Sequence, residues 1–221
     1  MREGSGRILA LEHMSYLLVQ KVGMTRVFTK AGREIPVTVL RVAPNTVTQA
    51  KTKEKDGYDA VQIGGGDTKN NSKPLQGHLK KSGAKTRVLK EFKTETPAVV
   101  GTKLTASQFT PGDLVRASGI SKGKGFAGVI KRHGFHRGPE THGSDHHRAP
   151  GSIGSMFPQR VVRGRRLPGH LGHTQITLHE REVIGIEDTT NPPTILLKGP
   201  LPGPRGTWIT LQKETSEDSN E

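Results

Sequence analysis

The 221-residue sequence predicts a mainly β protein, a closed or nearly closed β-barrel domain that carries a long, irregular, basic loop. Three observations predict this. Short runs of β-branched and aliphatic residues recur on both flanks of the chain, punctuated by Gly and Pro, as in all-β folds of many short strands. Alternating β and α units are missing, which argues against a doubly wound sheet. Finally, residues 121–173 hold 10 Lys or Arg, 7 of the 10 His and 11 Gly, but only two acids, Glu140 and Asp145. That segment has too few apolar groups to offset the entropy of ordering it. Its cations repel one another unless a polyanion lies alongside.

The elements follow in order. Residues 16–19, 25–29 and 35–42 read as consecutive strands. The turn at 30–33 makes a hairpin, and Pro36 falls near a strand start, where a missing N–H is tolerated. Further strands are expected at 46–50, 60–63, 113–117, 174–178, 182–186, 194–197 and 207–211. Residues 67–96 are polar and weakly periodic, an irregular excursion with a short helix near 76–81 and a strand near 88–92. The resulting division is an N-terminal extension over 1–14 and a barrel domain over 15–118 with 174–213. The loop occupies 119–173 and an acidic, disordered, solvent-facing tail 214–221.

Composition bounds the partners. With 34 Lys plus Arg against 20 Asp plus Glu, the net charge is +14, the footprint of a phosphate-binding surface. Without cysteine there is neither a disulfide framework nor a thiolate metal site, which fits a reducing, cytoplasmic setting. The longest apolar runs are far too short to span a bilayer, and the first residues lack the apolar stretch of a secretory signal.

Three motifs in the loop invite other functions. Residues 123–128 match G-x-G-x-x-G after a strand, but the run that follows is too short for the long crossover helix of a dinucleotide fold. No H-R-D or D-F-G supports a kinase loop. His133, His136, His142, His146 and His147 crowd 15 residues, yet their spacing sets no pair on one helical face and their cationic surroundings disfavour a dication. Stacking on bases or bonding to phosphate suits them better. Ser144, Asp145 and His146 are adjacent in sequence, which a catalytic triad does not allow.

What remains fits RNA. Lys122, Lys124, Lys131, Arg132, Arg137, Arg148, Arg160, Arg163, Arg165 and Arg166 offer phosphate partners, with Arg forking and Lys acting as a point charge. Phe126, Phe135, Phe157 and the histidines, including His170 and His173, are interleaved as stacking surfaces. Glycines and prolines fix a path that is neither helix nor strand. The alternatives are a non-ribosomal RNA chaperone and an RNA-acting enzyme using the histidine cluster. The second would need pairs of titrating groups at catalytic geometry, and the two acids of the segment are too few for a two-metal site.

Three motifs also carry a family resemblance. They are K-V-G-M-T-R-V-F at 21–28, S-K-G-K-G-F-A-G-V-I-K-R at 121–132 and T-H-G-S-D-H-H-R-A-P-G-S-I-G at 141–154. In order and spacing they resemble the bacterial-type L-three family of large-subunit ribosomal proteins, from about residue 15 to 212. The resemblance implies a structural, non-enzymatic constituent of the large subunit without cofactor, metal or small-molecule substrate. It implies direct, early binding to large-subunit rRNA beside neighbouring ribosomal proteins, with the loop directed toward the peptidyl-transferase centre. Carried over by motif, the loop contacts include Lys122, Lys124, Phe126, Lys131, Arg132, His142, His146, His147, Arg148 and Ser152. The apex falls near 154–162, one residue shorter than usual. No Gln stands where some relatives carry a methylated one, so that modification is not transferred. Met14 opens a start typical of the family, so Met1 to His13 reads as a lineage extension or an upstream initiation misread.

Overall fold

A computed structural model describes residues 16–94, 98–187 and 192–214. The N-terminal extension and all of the acidic tail beyond Glu214 lie outside the described residues. The chain divides into two units. One runs up to Ile120 and resumes at Gln175, and the other is Ser121–Thr174.

The first unit is mainly β, as its alternating apolar runs predict. Its strands are β1 (Tyr16–Phe28), β2 (Glu34–Val42), β3 (Asn45–Lys51), β4 (Ala60–Asp67), β5 (Thr86–Lys93), β6 (Lys103–Leu104), β7 (Leu114–Ile120), β10 (Gln175–Glu187), β11 (Thr194–Lys198) and β12 (Trp208–Lys213). Six of them pair antiparallel in a ring, β1-β12-β7-β10-β11-β2 and back to β1. The others form a second sheet in the order β5-β4-β3-β6. Helices α1 (Lys53–Asp56) and α2 (Lys73–Leu79) connect strands of that sheet.

The structure corrects several expected boundaries. The runs at 16–19 and 25–29 are one strand, β1, which continues across a bulge between Lys21 and Gly23. It stays extended because β2 pairs with it from Val19 to Phe28, while β12 pairs only with Tyr16 to Gln20. The runs at 174–178 and 182–186 likewise merge into β10, whose register on β7 shifts between Leu178 and Arg181. Glu180 takes a φ of 53° at that irregularity, as an extra residue in a bulged strand can. Within the described part of the excursion, residues 67–94, α2 begins at Lys73, with Pro74 in its first turn, and β5 extends the second sheet.

Why two sheets share one core is visible in β1. Leu17, Leu18 and Val19 are all fully buried, the pattern of a strand covered on both faces. Leu17 and Val19 pair with buried Leu211 and Ile209 across the ring. Leu18 faces the second sheet, where a Cβ on Gly65 would stand 3.0 Å from its side chain. One hydrophobic cluster therefore joins Leu40, Val115, Ile195 and Leu197 of the ring to Val47, Val61 and Ile63 of the second sheet. Burying each such side chain contributes about 1.5–3 kcal/mol.

Asn45 clips the two sheets together. Its buried side chain donates to Leu18 O at 2.9 Å and Ala43 O at 2.8 Å, and accepts from Leu18 N–H at 3.2 Å. Gly66, at φ 74°, leaves room for the indole of Trp208, which would stand 2.7 Å from a Cβ there.

Candidate nucleic-acid interface

The second unit is built upward from its base. Ser121 N–H donates to Thr174 O, Lys124 N–H to Leu171 O and Leu171 N–H to Gly125 O, each at 2.9 Å. These bonds zip the two ends of the segment together. Above them a short ladder pairs β8 (Phe126–Ala127) with β9 (Gly169–His170), setting Phe126 opposite His170. Helix α3 (Val129–His133) follows, ended by Gly134 in the left-handed conformation that a C-cap favours. Ala127 and Val129 are buried.

Here the expectation of a path neither helical nor extended is corrected. Paired ends supply backbone hydrogen bonds that composition does not reveal. Arg132 Nη1 donates to Leu167 O at 2.6 Å, and the His133 ring meets the same carbonyl at 3.1 Å. A side chain on Gly169 would strike the Arg132 guanidinium, which explains a glycine there.

The middle is a tight excursion. Gly138 N–H donates to His147 O at 3.0 Å, and His147 Nδ1 lies 2.9 Å from Pro139 O. Between them His142 sits at φ 58°, and Arg137 is ion-paired with Glu140. Toward the apex, Arg165 Nη2 donates to Ser152 O at 2.5 Å, and Ser152 Oγ to Gly154 O at 3.1 Å. Phe135, Ser152, Arg165 and Arg166 share the lining of a cavity of about 380 Å³. Met156 and Phe157 are 91% and 83% exposed, so two large apolar groups stand in solvent beside cations.

These positions sort the sequence-predicted residues. Arg132 is half-buried and bonded internally, Arg137 is paired, and Arg165 holds a backbone carbonyl. The other seven cations are Lys122, Lys124, Lys131, Arg148, Arg160, Arg163 and Arg166. All are exposed, and none makes an ion pair or side-chain hydrogen bond with a described residue. His136, His142, His146, His147, His170 and His173 are also exposed. Phe126 is 80% exposed. Among the described residues no three His, Cys, Asp or Glu side chains gather as metal ligands. Such an array attracts phosphates by charge and bases by stacking. It places no nucleophile beside a base.

Two clusters were missed in the sequence. Lys21, in the K-V-G-M-T motif, is buried rather than presented to solvent. Trp208, Arg41 and Arg87 line a cleft beside Gly65 and Gly66. Three consecutive glycines in a strand, 64–66, were the available signal, since they mark close approach of another chain segment.

Comparison with known proteins gives the family of the chain. The family model for ribosomal protein L3 matches residues 38–195. The chain is 46% identical over 202 residues to large ribosomal subunit protein uL3 of Pelotomaculum thermopropionicum, covering 89% of this chain and 95% of that protein. It is 47% identical over 205 residues to the uL3 of Alkaliphilus metalliredigens, covering 90% and 97%. To the uL3 of Streptococcus pyogenes serotype M1 it is 46% identical over 199 residues, covering 89% and 95%. With three sequence motifs in register and similarity along nearly its whole length, the chain belongs to the ribosomal protein L3 family.

Proposed function

We propose that this protein is a structural constituent of the large ribosomal subunit that binds large-subunit rRNA directly and joins early in assembly. The seven unpaired, exposed cations of the second unit carry this reading, because they lie on a segment with only two acids. Each neutralises a phosphate and releases condensed counterions, so binding is strongly salt-dependent. Phe126 near the base and Met156 and Phe157 at the apex offer apolar surface to unstacked bases, and the apex is directed toward the peptidyl-transferase centre. The ring and second sheet act as the barrel-like platform, in contact with rRNA and neighbouring ribosomal proteins. The protein carries out no chemistry and needs no cofactor.

The test is binding of the full chain to large-subunit rRNA fragments and to unrelated RNA across a salt series. With about eight phosphate contacts, log K against log salt has a slope of about −6 to −7. A preference for large-subunit fragments that survives at high salt supports the reading. Equal affinity for all RNAs favours the chaperone alternative.

A further inference from the structure

At the junction of the ring and the second sheet lies a cleft of about 650 Å³, within the size range of small-molecule sites, about 300–1,000 Å³. Its lining includes Gln20, Arg41, Asp67, Thr68, Arg87 and Trp208. Three features give it a chemistry. The Trp208 indole is only half-buried, its benzo edge against Gly66, and its N–H donates to no described residue. Arg41 and Arg87 are exposed, and neither guanidinium makes an ion pair or side-chain hydrogen bond with a described residue. At the end of β4, Asp67 and Thr68 offer acceptors for ribose hydroxyls or exocyclic amines.

We propose that this cleft binds an unstacked RNA nucleotide, its base against Trp208 and its phosphates on Arg41 and Arg87. The inference rests on the rRNA-binding reading but concerns a site apart from the basic segment. An aromatic platform beside free cations is the arrangement by which single-stranded nucleic acid is held without base-specific readout. Guanidinium groups suit the forked geometry of phosphate oxygens. An acidic peptide would satisfy the two arginines but leave the indole face and the acceptors of Asp67 and Thr68 without partners.

Trp208 is the only tryptophan of the chain, so its fluorescence reports on this cleft alone. The full protein is titrated with a six-nucleotide single-stranded RNA, a ribonucleoside monophosphate, inorganic phosphate and an acidic hexapeptide. Saturable quenching by the RNA is expected. In an Arg41→Ala/Arg87→Ala variant its midpoint shifts at least about tenfold, as loss of two charge-assisted contacts implies. A charge-matched Lys30→Ala/Arg33→Ala variant, at two exposed turn positions outside the cleft and the basic segment, keeps the wild-type midpoint. Urea unfolding followed by the same emission verifies that each variant is folded. No quenching, an unshifted midpoint in the double variant, or quenching by peptide or phosphate at the RNA's concentration overturns the proposal. Equal midpoints for monophosphate and RNA overturn its assignment to RNA. Filter binding of rRNA fragments in the same samples separates the two readings. If fragments bind while Trp208 stays silent, the cleft proposal alone fails; if they do not bind, both fail.

Discussion

The ammonium of Lys21 donates to the main-chain carbonyl of Leu201 at 2.7 Å, across 180 residues of sequence. It also donates to Gly203 O at 3.0 Å, so one buried cation fastens the connection between β11 and β12 to the bulge of β1. Lys→Met at position 21 keeps the stem but strands two carbonyls. An expected loss of about 2–3 kcal/mol follows from the cost of orphaned buried acceptors, read as a lower urea midpoint at unchanged slope. An unchanged midpoint would mean that water replaces the ammonium.

Asn45 governs a second long-range junction. Replacing it with Ala removes three hydrogen bonds and leaves both backbone groups of Leu18 without side-chain partners. The expected cost is about 3 kcal/mol, larger than for substitution of an exposed polar residue such as Gln76. Thermal unfolding of the two variants side by side checks the contrast.

Acid should weaken the second sheet through Glu91. Its carboxylate is held below the usual range chiefly by the hydrogen bond from the Lys51 ammonium at 2.8 Å, against an upward push from burial. The Tyr58 hydroxyl at 2.9 Å and the Gln62 amide at 3.3 Å assist. Because the folded pKa is depressed, this stabilisation is present above the unfolded carboxylate value, about 4.3, and is lost as pH falls through the lower folded value. Glu91→Gln should therefore lower the urea midpoint at neutral pH, and the gap from the wild type should close in acid. A gap independent of pH would assign the effect to packing.

Glu214, expected as the first residue of a free acidic tail, is instead almost buried. It accepts from Glu180 N–H at 2.8 Å, lies 2.9 Å from the His179 ring and pairs with Arg116 at 3.4 Å. Glu214→Ala should cost about 1–2 kcal/mol, since the Glu180 amide at the β10 irregularity loses its acceptor. Hydrogen exchange at that amide should quicken as well.

Charge reversal at Arg163, Arg165 and Arg166 should flatten the salt slope of rRNA binding by about 2–3 units, if each contacts one phosphate. The platform should stay folded, because the Arg163 and Arg166 side chains have no partner among the described residues and the Arg165 side chain bonds only Ser152 O within its own unit. An unchanged slope would place the phosphate contacts elsewhere.

Much of the platform was legible because strand signals are local. Alternation and turn residues found the cores of nearly every ring strand and the hairpin of β1 and β2. The merging of two runs into β1, and of two into β10, was not legible, since a bulge is fixed by the neighbouring strand that must be followed. The basic segment was recognised from charge and glycine content, which need no coordinates. Which of its cations are free was hidden. Arg132, Arg137 and Arg165 look like their neighbours in sequence but are engaged at Leu167, Glu140 and Ser152.

By itself the sequence determined the β class, the charge of residues 121–173 and the family, because each resides in composition or in motifs of contiguous residues. Only the tertiary structure decided that β3, β4, β5 and β6 form a separate sheet, that Lys21 is a buried clamp, and that Trp208 meets Arg41 and Arg87 in one cleft. Those facts depend on residues brought together from 20 to 180 positions apart, and the packing that joins them leaves almost no trace in the local pattern of any one segment.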